Sequence, residues 1–195
     1  LKAVPLEGAL APGSYEVEKG FEREALVDEM QADQAAVLAE LWAKRADGLP
    51  YASPEEAMIM ASIIEKETGI ASERGKVASV FLNRLADGMK LQTDPTVIYG
   101  VTKGQGVLGR GLKASELKKE TPWNTYVIAG LPVTPICNPG REAIAAALQP
   151  EATEFTYFVA DGTGGHAFAS TLADHNKNVA KYRAIEAAAK DAAGN

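Results

Sequence analysis

A short central segment places carboxylates directly after the most apolar stretch of the chain. Ser53 and Pro54 are typical of a helix start, and Glu56 follows the serine at the spacing of a capping box. Gly69 is a residue type that commonly follows the last turn of a helix. Every residue from 57 to 64 is apolar except one serine. The pattern therefore predicts a helix that is buried most of the way round.

Glu65 is the residue of this helix that we predict to donate a proton. It lies four residues after Ala61 and seven after Met58, which places all three side chains on one stripe of the helix. Burial and the negative end of the helix dipole would both favour the protonated form, which a general acid working near neutral pH requires. A structural alternative stays open, in which Glu65 or Glu67 pairs with a neighbouring base: Lys66, Arg74 or Arg84.

Composition limits the classes of function. The 195 residues suffice for one domain, and no run approaches the ~18 consecutive apolar residues of a membrane-spanning helix. The net charge of −6 offers no basic surplus, so a nucleic-acid partner is not expected. The single Cys137 excludes an intrachain disulfide and a cysteine-rich metal site. Because His166 and His175 lack the spacing of a zinc motif, we expect neither a metal nor another cofactor.

Periodicity predicts a helix-rich α+β fold. Helical spacing of apolar residues, or helix start signals, predict the main helices at residues 21–46, 53–69, 73–86, 138–148 and from 172 onward. Two strands are expected on either side of a Gly-rich hairpin turn at 161–165. Residues 89–112 are predicted to be a loop with one helical turn at 95–99. The expected architecture is a helix-rich core of lysozyme-like character with a small antiparallel sheet at its flank.

A second group of residues supplies amides, hydroxyls and aromatic rings, which are the groups that hold sugar rings in carbohydrate grooves. Gathered around one acid, these side chains predict a sugar-binding site. The substrate-binding candidates are Gln92, Asp94, Asn124, Tyr126, His166 and Phe168. Each one also has a structural interpretation when it is considered singly, such as Asp94 capping the helical turn that begins at Pro95.

Several motifs follow one another in a recognisable order. They include residues 61–67 (ASIIEKE), 77–85 (VASVFLNRL), 91–100 (LQTDPTVIYG), 157–162 (YFVADG) and 164–168 (GGHAF). From about residue 6 to about residue 182, this order resembles the MltG/YceG family of endolytic murein transglycosylases. Residues 1–195 are therefore interpreted as one YceG-like catalytic domain.

The resemblance implies a bacterial cell-wall lyase that cuts glycan strands internally, at the β-1,4 bond after N-acetylmuramic acid, and leaves 1,6-anhydro ends. It places the catalytic glutamate at Glu65, acting as general acid and then as base, with Glu67 and Asn83 as supporting residues. It further implies an extracytoplasmic location at the inner membrane, through an N-terminal anchor and a LysM-like module that this chain is expected to lack. Murein strands are the expected partner, and the cell-wall synthesis machinery is a further candidate.

Two alternatives to this enzyme stay open. The domain could be a murein-binding module that retains the motifs without catalysing a reaction. It could instead be a pyridoxal phosphate lyase, as an older aminodeoxychorismate lyase label for the family suggests, although no lysine in the sequence marks a cofactor pocket. Turnover on purified murein tests the first alternative, and an absorbance spectrum after reconstitution with the cofactor tests the second.

Overall fold

The computed structural model describes residues 3–193 and confirms the expected α+β class. Within that range a helical core carries a small two-stranded sheet at its flank. The elements in chain order are α1 (Arg23–Ala43), α2 (Pro54–Glu67), α3 (Arg74–Ala86), α4 (Asp94–Thr102), α5 (Ala114–Lys118), α6 (Arg141–Leu148), β1 (Tyr157–Ala160), β2 (His166–Ala169) and α7 (Leu172–Ala193). No helix among residues 3–193 is long and apolar enough to cross a membrane.

Helix α2 forms the centre of the core, as its apolar sequence predicts. Most of its side chains up to Ile64 are fully buried, and the helix packs against α1, α3, α4 and α6. Its one buried serine, Ser62, donates a hydrogen bond to its own helix and accepts one from the backbone N–H of Ile136 at 3.0 Å. The long loop before α6 is thereby fastened to the central helix.

The β1–β2 hairpin lies on the helical core beside α3. Its antiparallel register pairs Phe158 with Phe168, and α7 packs along both strands. Phe158 meets Phe81 of α3 edge to face, with ring centroids 5.8 Å apart. The hairpin therefore covers the same end of the core toward which α2 carries its carboxylates.

Helix α4 is longer than the single turn predicted from sequence. Pro95 lies in its first turn, where the fixed φ of proline favours a helix start. Thr96 and Val97 lie on the buried side of the helix, and the Thr96 hydroxyl donates a hydrogen bond to the Thr93 carbonyl at 2.7 Å. This burial depends on distant parts of the chain and adds stability that local propensity does not reveal. Helix α4 thereby holds Thr93 and Asp94 close to the end of α2.

Candidate active site

A cavity of about 500 Å³ opens where the end of α2 meets α3, the start of α4 and β1. Its volume falls within the range of about 300–1,000 Å³ that ligand sites occupy. The side chains of this cavity, which we call the acid groove, are mostly polar or aromatic, with two aliphatic residues among them: Glu67, Phe81, Arg84, Leu91, Gln92, Thr93, Asp94, Tyr126, Phe158, Val159 and His175. The predicted groove residues Gln92, Asp94 and Tyr126 thus meet in one place.

Glu67, the last residue of α2, is the partly buried acid of this groove. Loss of water around its carboxyl group raises its pKa above the ordinary value, and the negative charge of Asp94 raises it further. A hydrogen bond from the Thr93 hydroxyl to Oε1 and the charge of His166 act in the opposite direction. Because burial is the largest of these effects, the groove shifts the pKa of Glu67 upward, toward the protonated form that can donate a proton.

Glu65 lies outside the acid groove. Its side chain is exposed, and its Oε2 accepts a hydrogen bond from the backbone N–H of Gly140 at 3.1 Å. The prediction that Glu65 shares the burial of Met58 and Ala61 is wrong, because the buried stripe that they form ends before Glu65, whose side chain turns toward Gly140. Glu65 and Glu67 face different directions, in keeping with their two-residue separation on a helix.

Neither glutamate supports the ion-pair alternative. Among the ion pairs of residues 3–193, none joins Glu65 or Glu67 to a lysine or an arginine. Arg84, which the sequence suggested as a partner, is 8% exposed and donates instead to backbone carbonyls. Its Nε contacts the Thr156 oxygen at 2.6 Å, and its Nη1 contacts the oxygen of Leu91 at 3.0 Å. Arg84 is therefore a buried cation of the groove wall.

Asp94 is held beside Glu67 by Tyr126. The Tyr126 hydroxyl donates to Asp94 Oδ1 at 2.7 Å, and burial raises the pKa of that hydroxyl above its ordinary value, so it stays a donor. The alternative in which Asp94 caps a helix is wrong: it is the first residue of α4, Thr93 occupies the N-cap position, and no side-chain hydrogen bond caps the helix. The Asp94 carboxylate therefore remains available to the groove.

His166 and Phe168 were predicted to bind substrate, but they do not line the acid groove. The Nδ1 of His166 lies 2.7 Å from Glu73 Oε2, and Phe168 stacks on Phe155 with centroids 5.6 Å apart. Both side chains support the hairpin because the strand pairing turns them toward neighbouring aromatic rings and Glu73. His166 still influences the groove through the effect of its charge on Glu67.

Asn83, which was predicted as a supporting residue, does not line the groove and instead bonds the chain segment behind it. Its Nδ2 donates to the carbonyl oxygens of Thr153 at 2.9 Å and Phe155 at 2.8 Å. These bonds tie the chain that enters β1 to helix α3. Asn83 therefore fixes the wall that carries Phe158 and Val159.

Comparison with known proteins identifies the chain at the family level. A model of the YceG-like family matches residues 2–181, which is most of the sequence. The chain belongs to the YceG-like family. A crystal structure of a YceG-like protein from Listeria monocytogenes superimposes with a TM-score of 0.74 at 36% identity, covering 87% of this chain and 54% of that one.

Two bacterial relatives of this YceG-like chain carry the name endolytic murein transglycosylase. The Bacillus subtilis protein is 42% identical over 130 residues, which are 67% of this chain and 35% of the relative. The Streptococcus pneumoniae protein is 32% identical over 184 residues, which are 91% of this chain and 32% of the relative. The chain thus spans about a third of the length of these relatives.

Among the side chains of the YceG-like groove that the sequence analysis did not identify as groove residues are Arg84 and His175. His175 stacks on Tyr157 with centroids 5.1 Å apart, and burial lowers its pKa. It reaches the groove from α7, more than a hundred residues after Glu67, so no local pattern could have revealed it. The sequence feature that could have indicated Arg84 is its position as a charged residue between the apolar positions of α3. Across residues 3–193, no group of three or more His, Cys, Asp or Glu side chains could hold a metal ion.

Asn124 belongs to the scaffold of the YceG-like domain and not to its groove. It is 1% exposed, and its Nδ2 donates to the carbonyl oxygens of Glu116, Leu117 and Lys119, the last at 2.7 Å. Its Oδ1 accepts the backbone N–H of Tyr126 at 3.0 Å. The predicted substrate contact is therefore wrong, because a buried amide with these partners has no free group for a sugar. Asn124 instead joins α5 to the loop that presents Tyr126.

Replacing Asn124 by Ala is expected to lower the free energy of unfolding by about 1–3 kcal/mol, since buried carbonyls and an N–H lose their partner. Chemical denaturation followed by circular dichroism measures the change. The matched control is Asn176→Ala on exposed α7, which should stay within about 0.5 kcal/mol of the parent. Equal stabilities for the two variants would show that the Asn124 network is not a structural element.

Proposed function

We propose that this chain is the catalytic domain of an endolytic lytic transglycosylase that cuts murein, with Glu67 as its general acid. Family membership and the names of the relatives support murein as the substrate. The observation that carries the assignment of the acid is the partly buried carboxyl group of Glu67, whose pKa is raised by loss of water in a cavity large enough for sugars. This assignment replaces Glu65, which the family resemblance suggested.

The proposed reaction uses one carboxyl group twice. Protonated Glu67 gives its proton to the glycosidic oxygen, and the bond between that oxygen and C1 of the muramic residue breaks. The Glu67 carboxylate then takes the proton from the C6 hydroxyl of the same residue, whose oxygen forms the new bond to C1. The net change is a proton moved from O6 to the leaving oxygen, with no water consumed. Thr93 holds Oε1 of the carboxyl group and thereby fixes its orientation.

Asp94 serves two electrostatic purposes in this scheme. Its negative charge raises the pKa of Glu67 and so favours the protonated form before the reaction, and it stabilises the positive charge that develops at C1 in the transition state. The position of Asp94 in the same groove also favours a second candidate function, the hydrolysis of the same bond with Asp94 activating a water molecule. The two reactions leave different ends on the cut strand, so analysis of the product ends distinguishes them.

Asp94→Asn is expected to move the alkaline limb of the kcat/KM profile to lower pH. Protonated Glu67 is the active acid, so activity falls as the pH rises through the pKa of its carboxyl group. Because the charge of Asp94 raises that pKa, its removal lowers the pKa and the loss of activity begins earlier. Initial rates on soluble glycan strands across a pH series measure the shift. Asp28→Asn on the exposed face of α1 is the control, and a limb that moves upward or stays fixed contradicts the account.

Turnover on purified murein is the direct test of the function. The protein should release soluble glycan fragments while the mean strand length falls early, because an endolytic enzyme cuts within strands. Binding without release would instead identify a non-catalytic murein-binding module. An absorbance band of a bound aldehyde cofactor after reconstitution would favour the pyridoxal phosphate lyase.

A murein substrate also suggests where the domain works. Murein lies outside the cytoplasmic membrane, so we propose an extracytoplasmic location, with membrane anchoring supplied by other parts of the full-length protein. The cell-wall synthesis machinery is the partner that we propose for such a protein, since an enzyme that cuts strands internally acts on what that machinery makes. Fractionation of cells that carry the full-length protein tests the location.

A further inference from the structure

Arg84 brings a positive charge to the acid groove without a carboxylate to balance it. Its side chain is more than nine-tenths buried, and burial lowers its pKa. The acceptors it contacts are three backbone carbonyls and the side-chain oxygen of Gln92. No carboxylate among residues 3–193 forms an ion pair with it. Buried charges are normally paired, so this arrangement leaves a place for an anion.

One terminal nitrogen of Arg84 is free to contact that anion. Nη1 and Nε make the hydrogen bonds, whereas Nη2 makes none in the described range, and the guanidinium carbon lies 5.1 Å from the centre of the Tyr157 ring. The buried side-chain atoms of that range that lack a hydrogen-bond partner are Arg74 Nε, Thr121 Oγ1 and His175 Nδ1. Arg84 Nη2 is not among these buried atoms. Nη2 therefore keeps access to solvent, and the acid groove is the cavity that Arg84 lines.

Gln92 adds a second donor at the same place. It is one of the two non-glycine residues with positive φ within residues 3–193, at +53°, and its side chain is exposed in the groove. A guanidinium group only donates hydrogen bonds, so Gln92 must present its Oε1 to Arg84 Nη1, 3.4 Å away. The amide nitrogen of Gln92 is then left to donate to a ligand. Left-handed backbone at a non-glycine residue is typical of a position held for function.

From this pair of donors we propose a subsite for the free lactyl carboxylate of a muramic acid residue that carries no peptide. The inference rests on the proposed function, because it names the group of the murein strand that the groove selects. Arg84 Nη2 and the Gln92 amide nitrogen offer donors only, which suits a group that only accepts. A carboxylate also balances the buried charge, whereas the amide that replaces it in peptide-bearing strands does not. The domain therefore prefers strands in which the muramic residue at this subsite carries no peptide.

Two substrates of equal length test the preference with the unaltered protein. One is peptide-free glycan, and the other is the same glycan after its lactyl carboxylates have been converted to methyl amides. We expect kcat/KM to be about tenfold to a hundredfold higher for the carboxylate strands, mainly through KM, as for hydrogen bonds to a charged group. Equal rates would overturn the subsite and leave the proposed function standing. Cleavage of neither would overturn the proposed function and the subsite with it.

A substitution at exposed Gln92 tests the same contact without disturbing the buried arginine. Gln92→Glu supplies a carboxylate of its own to Arg84 and repels that of the substrate, so the preference for carboxylate strands, measured as the ratio of the two kcat/KM values, should disappear. Gln105→Glu, an exposed position outside the acid groove, makes the same charge change and should leave the preference intact. An equal fall on both substrates in the Gln92 variant, or a preference that persists in it, would overturn the subsite.

Discussion

Replacement of Glu67 by Gln is expected to lower the rate of murein cleavage by about 10²–10⁴-fold, the usual cost of losing a general acid–base group. The amide has nearly the same shape as the carboxyl group and still accepts the Thr93 hydrogen bond at Oε1. It can neither give up an acidic proton nor take one from the C6 hydroxyl. The fold should stay intact, because Glu67 lies at the end of α2, beyond the core residues.

Glu65→Gln is the matched control for this experiment, since it makes the same change two residues away. Its side chain is exposed and engages Gly140 at the start of α6, so the variant should keep most of the activity. Initial rates of soluble fragment release, with circular dichroism to verify folding, measure both variants. An inactive Glu65 variant beside an active Glu67 variant would return the catalytic role to Glu65, as the family resemblance implied.

Phe81→Ala is expected to cause the largest loss of stability, about 3–5 kcal/mol. The ring is 2% exposed, packs inside the core, and meets Phe158 edge to face. Its removal creates a cavity between α3 and the hairpin and eliminates an aromatic contact worth about 0.5–1.5 kcal/mol beyond its buried area. Urea denaturation gives the free energy of unfolding.

Val107→Ala controls for the general effect of shortening an apolar side chain. Val107 is 98% exposed, so its truncation should change the stability by less than about 0.5 kcal/mol. A loss below about 1.5 kcal/mol for Phe81→Ala would mean that the hairpin does not pack against α3 as the structure describes.

The sequence predicted the main elements well because their signals are local. The Ser-Pro start and apolar run of α2 depend on neighbouring residues only, and so does the Gly-rich turn at 161–165. The length of α4 was underestimated because the stability of this helix comes from the burial of Thr96 and Val97 against segments that are distant in the chain. Local propensity could indicate a turn there, but tertiary packing made it a helix.

The choice between Glu65 and Glu67 shows where sequence reasoning stops. Helical spacing correctly relates Glu65 to Met58 and Ala61, but it cannot tell that the core ends one residue earlier, at Ile64. The partial burial of Glu67 is created by Thr93 and Asp94, which come from a different element of the chain. Which carboxylate loses its water therefore depends on tertiary structure.

Asn124 and Arg84 illustrate a second limit. An asparagine suits a sugar groove and a buried scaffold equally well by chemistry, and only its three carbonyl partners assign it to the scaffold. Arg84 was considered as an ion-pair partner because charges usually pair, yet it donates to three backbone oxygens and to the side-chain oxygen of Gln92. Gln92, Asp94 and Tyr126 lie together in the acid groove because they belong to two short motifs that fold against each other, and their contact with substrate stays a prediction.

Digestion of murein in ¹⁸O-labelled water tests most directly the claim that one carboxyl group cuts the strand without water. The product ends are then read by mass spectrometry. The account predicts 1,6-anhydromuramic ends without label, lighter by one water than reducing ends, because the C6 hydroxyl and not solvent attacks C1. Incorporation of ¹⁸O into the new muramic ends would contradict it and identify a hydrolase, with Asp94 as the residue placed to activate the water.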